Sequence, residues 1–293
     1  MSTAEEKAAV LVEALPYIRR FSGSVVVVKY GGSAIGNGQE PAEMLESFAE
    51  DVVLLRSVGA LPVVVHGGGP QIGELMQRLG MEPEFRDGLR VTDSETLEIA
   101  RMVLVGKVNR EIVSAINVHG GLAVGLSGED ANLIRAVPRE RALGFVGDVE
   151  VIDTTIVERL LGDGLIPVVA TIGSDSSGQA YNINADTVAG ALGAALGAEK
   201  LVFLTDVPGL LLDPSDSKSL ASCLDVDDLE TLIGTGVISS GMVPKAQACA
   251  TAVRGGVTRA HILDGRIPHA VLLELFTDEG VGTMVTLDGG PQP

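Results

Sequence analysis

Two glycine clusters, each directly after a short apolar run, are where this sequence could do chemistry. Lys29-Tyr30-Gly31-Gly32-Ser33 follows the run 25–28, and His66-Gly67-Gly68-Gly69-Pro70 follows the run 62–65. Glycines let backbone N–H groups approach an anion closely. Pro70 suits the first position of a helix, whose N-terminus adds a positive dipole end. Either cluster alone reads equally well as a tight strand-to-helix turn. Two of them, one with a lysine at the strand end, favour anion binding, with Lys29 placed to meet phosphates. The chain contains neither G-x-x-x-x-G-K-[ST] nor G-x-G-x-x-G, which argues against a P-loop ATPase or a dinucleotide-binding dehydrogenase.

The elements that must position these clusters follow from hydrophobic pattern. Unalternating apolar runs at 25–28, 62–65, 122–126, 166–171, 201–204 and 261–263 predict strands buried on both faces, as in a parallel sheet. Helix-period stretches lie between them at 43–58, 94–118 and 185–196. In the first of these Met44, Leu45, Phe48, Val52 and Leu55 share a face. Strands alternating with helices predict an α/β sandwich with right-handed crossovers. Residues 146–152 suggest a short hairpin strand. The stretch 213–227 reads as a surface loop. Residues 3–20 predict an amphipathic helix before the first strand, kinked or broken at Pro16. In α/β sheets, ligands bind beyond the carboxyl ends of the strands, where both glycine clusters fall.

Composition narrows the function classes. The 293 residues carry a net charge of −18, which leaves no electrostatic footprint for nucleic acid or an anionic membrane. Aromatic residues are 3% with no tryptophan, so base-stacking platforms are not expected either. No apolar run reaches membrane-spanning length, and the first residues lack a basic signal region. Cys223 and Cys249 are the two cysteines, too few for a disulfide framework or a cysteine metal site, and a reduced, cytoplasmic setting is expected. An acidic protein can bind an anionic substrate only where a few cations converge, so individual lysines and arginines become informative.

The two glycine clusters resemble those of the amino-acid kinase family. Three more stretches are similar to its branch that phosphorylates N-acetyl-L-glutamate: Gly88-Leu89-Arg90-Val91-Thr92, Asn182-Ile183-Asn184-Ala185-Asp186 and Gly241-Met242-Val243-Pro244-Lys245. The resemblance runs from about residue 25 to 285. One departure is visible: relatives often have Lys and Gly where this chain has Glu129 and Ala131. The resemblance implies a three-layer α/β sandwich around a largely parallel sheet, the amino-acid kinase fold, with an N-terminal helical extension. It divides the chain into an extension (1–23), an N-acetylglutamate-binding lobe (24–195) and an ATP-binding lobe (196–293).

It also implies roles. Lys29 and Lys245 would be the two catalytic lysines and Asp186 the carboxylate that organises them, with a helix cap as the plainer reading of Asp186. Gly68 and Gly69 would meet the acyl substrate and the transferring phosphate through backbone N–H. Arg90 suits a carboxylate, which its planar fork can bind through two bonds. Asn182 would also contact the substrate. Lys29, Gly31, Gly32, Thr205, Asp206 and Lys245 would form the ATP side, with Mg2+ as cofactor and no protein metal ligands. The acceptor carboxylate is ionised at neutral pH, so no general base is required. The rivals are a carbamate, aspartate, glutamate or nucleoside-monophosphate kinase, or a non-catalytic amino-acid sensor on the same fold. Arg90 and Asn182 argue against the first group, and the two lysines against the sensor.

Family members with such an N-terminal helix are arginine-inhibited hexamers, trimers of dimers interlaced by that helix. The resemblance therefore implies an allosteric arginine site at Tyr17, His261, Glu274 and Gly280. Glu274 would pair with the guanidinium, and Tyr17 would offer it an aromatic face.

Overall fold

The computed structural model describes residues 3–31, 41–86, 88–213, 215–216, 218–238, 241–277 and 280–289. Gly32 and Ser33 of the first glycine cluster lie outside them. Helix α1 (Ala4–Phe21) leads into β1 (Val25–Tyr30). Then come α2 (Pro41–Ser57), β2 (Leu61–His66), α3 (Gly69–Arg78), β3 (Phe85–Arg86) and β4 (Leu89–Arg90). Helices α4 (Ser94–Arg101) and α5 (Asn109–Asn117) are joined without a break by a π-helical segment, Met102–Val108. Next are β5 (Ala123–Ser127), β6 (Ile134–Pro138), β7 (Val146–Ile152), α6 (Thr155–Gly162), β8 (Ile166–Ala170), β9 (Ile172–Ser174) and β10 (Ala180–Ile183). The chain continues through α7 (Ala185–Ala195), β11 (Lys200–Thr205), β12 (Cys223–Asp225), α8 (Val226–Gly234), α9 (Val243–Arg254), β13 (Arg259–Asp264), α10 (Ala270–Phe276) and β14 (Thr283–Thr286).

Eight strands form the central sheet in the order β12-β14-β13-β11-β1-β2-β8-β5. All neighbours are parallel except β13 and β14. The sheet is buried because both faces are covered. Val26, Val28 and Tyr30 of β1 enter one core with residues of α2, α5 and α10. Val27 enters a second core with residues of α6, α7, α8 and α9. This is the expected three-layer α/β sandwich, with continuous Val/Ile/Leu runs as the sequence cost of burying both faces. A small closed barrel of β6, β7, β9 and β10 and the ribbon β3-β4 sit apart from the main sheet.

One expectation is narrowed and one corrected. Of the kink or break expected at Pro16, the break does not occur, and helix α1 continues through it. Pro16 is thirteen residues into the helix, where the proline ring removes one N–H bond without stopping the turns on either side. The stretch read as a surface loop, 213–227, contains β12 and the start of α8, and β12 pairs with β14 at the sheet edge. Three residues are too short for a periodicity signal, and the pairing partner lies some sixty positions away.

The departure at 129–131 has a local explanation. Arg101 donates to both carboxylate oxygens of Glu129, at 2.9 and 3.3 Å, so the carboxylate has its cation. Ala131 has φ 52° and ψ 24°, the left-handed region, and is exposed. That conformation costs a residue with a Cβ about 1–2 kcal/mol, partly offset in a glycine by the entropy of its unfolded chain. Ala131→Gly should therefore stabilise the fold by up to about 1 kcal/mol, read as a higher urea midpoint at unchanged slope. A lower midpoint would contradict this account of the turn.

Candidate active site

Lys29 is one residue from the end of β1 and shares the parity of Val27, which packs on the α7/α9 side. The same side receives the N-termini of α7 and α9. Helix α7 is capped by Asn184, whose Oδ1 accepts from the N–H groups of Asp186 at 2.9 Å and Thr187 at 3.1 Å. The cap role weighed for Asp186 thus belongs to Asn184, and the Asp186 side chain is free to face β1. Lys29 Nζ stands 2.8 Å from Asp186 Oδ1, and Lys245 Nζ, in the first turn of α9, stands 3.0 Å from Oδ2. Lys29 and Asp186 are buried.

The electrostatics follow from burial. Burial alone would raise the Asp186 carboxyl, but the charges of Lys29 and Lys245 outweigh it and hold the pKa below the usual carboxylate value. Burial and, secondarily, the nearby Lys245 charge push the Lys29 ammonium below its ordinary value against the pull of Asp186. One carboxylate therefore holds two cations, leaving one positive charge in excess at the sheet's carboxyl edge.

These charges form one end of a cleft of about 390 Å³. Its other walls include Gly67, Gly68, Gly69, Arg90 and Asn182. The second glycine cluster turns directly into α3, with Gly68 at the cap position and a proline in the first turn. Arg90 is buried, with Nη2 donating to Gly69 O at 2.7 Å and its guanidinium 4.7 Å from the centre of the Phe85 ring. Asn182 donates to Thr92 Oγ1 at 3.3 Å, and that hydroxyl donates to Arg90 O at 2.9 Å. Thr92 thus ties Arg90 to Asn182, a link sequence reasoning missed although Thr92 stood in a quoted motif. A larger cavity of about 610 Å³ lies among β7, α7 and α9. It contains none of Lys29, Arg90 or Asp186, so the smaller cleft is where the chemistry can occur.

Of the nucleotide-side residues, Lys29 and Lys245 line the cleft, whereas Gly31, Thr205 and Asp206 stand beside it. Leu204 of β11 pairs with Tyr30 of β1, which sets Thr205 next to Gly31 along the carboxyl edge. Thr205 donates to Asp206 Oδ1 at 3.1 Å. Gly32 lies outside the described residues.

A second cluster occupies the other side of the sheet's strands. His261 Nδ1 is 2.7 Å from Glu274 Oε1, and its Nε2 is 3.0 Å from Lys200 Nζ at the start of β11. The N–H of Val281, next to Gly280, donates to Glu274 Oε2 at 2.8 Å. His261, Glu274 and Gly280 are thus brought together, and Tyr17 packs from α1 against the core that includes Ala270, Val271 and Leu275. Lys200 was not foreseen. A lysine that opens an apolar strand reads as an end-of-strand charge, yet burial, with the Arg259 and Arg20 charges, lowers its pKa to about 7. Burial likewise lowers His261 to about 4, so the imidazole is neutral near pH 7.

An α/β sandwich with a glycine loop at the end of a strand and two lysines clamped on one carboxylate belongs to a recognisable class. The chain is a member of the amino acid kinase family, whose profile matches residues 24–264. Acetylglutamate kinase of Symbiobacterium thermophilum is 55% identical to it over 289 residues, covering 96% of this chain and 97% of that one. Acetylglutamate kinase of Saccharopolyspora erythraea is 56% identical over 292 residues, covering 97% and 94%. Among solved structures, the N-acetylglutamate synthase of Neisseria gonorrhoeae superposes with a TM-score of 0.83 at 28% identity in its complex with coenzyme A and N-acetyl-glutamate. The value is 0.81 at 27% in its complex with coenzyme A and L-arginine. This chain is covered to 95% and 96% in the two comparisons but spans only 63% and 65% of the synthase.

The pairing of two lysines on one buried carboxylate has a stability consequence. Replacing Asp186 with Asn leaves two ammonium groups facing each other in a buried site, and breaking a buried pair in this way costs about 3–5 kcal/mol. Asp186→Asn should lower the urea midpoint at pH 7 accordingly. A midpoint unchanged from the wild type would show that the lysines do not depend on this carboxylate.

Proposed function

We propose that this chain transfers the γ-phosphoryl group of ATP to the side-chain carboxylate of N-acetyl-L-glutamate, a step of arginine biosynthesis. The observation that carries the reading is the pair Lys29 and Lys245 held by Asp186 at the end of a cleft that also contains the Gly67–Gly69 backbone and Arg90. The names of the relatives that match nearly the whole chain support the substrate.

The chemistry follows from charge. A carboxylate oxygen of the acceptor forms a bond to the γ-phosphorus while the bond to the β–γ bridging oxygen breaks, and that oxygen leaves with its electron pair on ADP. The nucleophile is already ionised, so no proton has to be removed. The barrier is repulsion among anions, which the two ammonium groups and the loop N–H donors offset most where charge spreads in the transition state. Asp186 keeps the lysines aimed and takes no proton. Arg90 fits the substrate's α-carboxylate and Asn182 its amide. The acyl substrate is then held by residues before about position 196 and the nucleotide by Thr205, Asp206, Lys245 and their neighbours after it. Among the described residues no three carboxylate, imidazole or thiol groups converge as a metal site. Mg2+ would arrive on the nucleotide's phosphates and offset part of their charge. The reaction is expected in the cytoplasm.

The test is steady-state kinetics with both substrates. Lys29→Ala and Lys245→Ala should each lower kcat on the order of a hundredfold or more with a much smaller rise in KM, because the contact strengthens in the transition state. Arg90→Lys, which loses the planar fork, should weaken N-acetylglutamate and leave ATP little changed. Near-normal kcat in Lys29→Ala would remove the assignment, and equal weakening of both ligands by Arg90→Lys would move that residue off the acyl side.

The same proposal extends to feedback by arginine, in a hexamer built as a trimer of dimers. Val10, Leu11 and Val12 on α1 are each more than 60% exposed, apolar surface that the α1 of another copy would cover. The carboxylate of Glu274 lies beside Gly280, where a guanidinium could be paired. The synthase resembled above has been solved with L-arginine. Arginine inhibits only if it binds a less active arrangement more tightly. Deleting residues 1–22 should abolish the hexamer and weaken inhibition while leaving an active dimer, read by particle mass and arginine titration. A full-length dimer indifferent to millimolar arginine would end this part of the reading.

A further inference from the structure

One buried polar cluster has no part in the chemistry above. Asn109, the first residue of α5, and His66, the last of β2, are both fully buried. Asn109 Nδ2 lies 2.9 Å from Val168 O in β8 and 3.0 Å from His66 Nε2, with Leu126 O at 3.5 Å. Its Oδ1 accepts from Arg110 Nη2. A carbonyl can only accept and a guanidinium can only donate. Both neighbours therefore demand the same orientation of the amide. One hydrogen of the Asn109 NH2 goes to Val168 and the other to His66 Nε2, which must be the unprotonated nitrogen. The ring proton then sits on Nδ1, 3.0 Å from Gly67 O, to which it donates.

The π-helical segment makes this arrangement possible. A Cβ on Gly68 would meet Leu104 Cδ2 at 2.7 Å and Val108 Cγ2 at 3.2 Å, so these two side chains press on the loop from behind. In an α-helix Asn109, five residues after Leu104, would point about 140° away from it. The wider π turn brings residues five apart nearly over one another, and Leu104, Val108 and Asn109 all face the loop and the strand that feeds it.

We propose that Asn109 is a positioning residue for phosphoryl transfer, acting through His66 on the peptide group between Gly67 and Gly68. In a trans peptide the N–H points opposite to the C=O. Tying Gly67 O back to the ring aims the Gly68 N–H away from it, toward the cleft that both glycines line. This rests on the reading that the loop's N–H groups hold the transferring group. Burial, which lowers His66 to about 4, keeps the ring neutral near pH 7.

The experiment uses the full chain. With only four histidines present, NMR of 15N-histidine-labelled protein reads the His66 tautomer directly. The wild type should show Nδ1–H and no titration between pH 5 and 8. Asn109→Ala should admit the other tautomer and lower kcat about ten- to hundredfold, as loss of a supporting hydrogen bond does, with KM for both substrates within about threefold. In the double variant with His66→Ala, kcat should be no lower than in His66→Ala alone, since the two act as one unit. An Nε2–H tautomer in the wild type overturns the proposal, as does kcat within twofold of wild type in a folded Asn109→Ala, or fully additive losses. If Asn109→Ala does not fold, Asn109→Ser and the wild-type tautomer decide by the same criteria. Absence of wild-type turnover would sink the reading of the loop and the proposal with it. Normal wild-type turnover beside an unaffected Asn109→Ala sinks the proposal alone.

Discussion

A single buried carboxylate clamped between two lysines is the constraint around which this fold is arranged. An unpaired charge with the burial of Asp186 would be neutralised or would unfold its surroundings, so it survives only with Lys29 and Lys245 within 3.0 Å of its oxygens. Those lysines come from opposite ends of the chain, one on a strand and one on a helix. Each must arrive with the right face forward. The parity of β1 sends Lys29 to the α7/α9 side, the Asn184 cap frees Asp186 to meet it, and the first turn of α9 delivers Lys245. A one-residue slip of β1 would send Lys29 to the opposite core and leave Asp186 half-paired.

The same arrangement explains how a chain with a net charge of −18 can take two anionic substrates. Its long-range field opposes them. On the proposed reading, binding comes from local terms that act over a few ångströms in a partly desolvated cleft: two ammonium groups sharing one counter-charge, a guanidinium stacked on Phe85, and backbone N–H groups at the start of α3. Rigidity matters as much as charge in such a site, because donors aimed in advance need no reorganisation when the transition state forms. The links Thr92–Asn182 and Arg90–Gly69 tie residues of the cleft wall together, and Asn109 holds His66 behind the glycine loop.

The sheet separates two polar clusters. Lys29, Asp186 and Lys245 gather at the carboxyl ends of the strands, whereas Lys200 opens β11 and faces His261 and Glu274. The second cluster is also reached by α1, through the Phe21 ring near Lys200, and by α10, through Glu274. The separation is a property of parallel topology, in which one edge of the sheet collects all strand ends of one sense.

Much of this was legible before any coordinates. Unalternating Val-rich runs called for a parallel sheet covered on both faces, and the glycine clusters after two of them were placed at its carboxyl edge; both are local patterns whose physics acts within a few residues. The residues that proved harder are those whose role depends on a partner far along the chain. Lys200 reads as an exposed charge until β13 and α10 bury it. Thr92 and Asn109 read as ordinary polar residues until Asn182, His66 and Val168 meet them. The strand β12 reads as loop until β14 pairs with it. Sequence alone determined which groups could bind an anion and on which kind of scaffold, because composition and periodicity act locally. Tertiary structure decided which cations share a carboxylate and which amide holds which ring, because pairing and desolvation depend on distances that no spacing along the chain encodes.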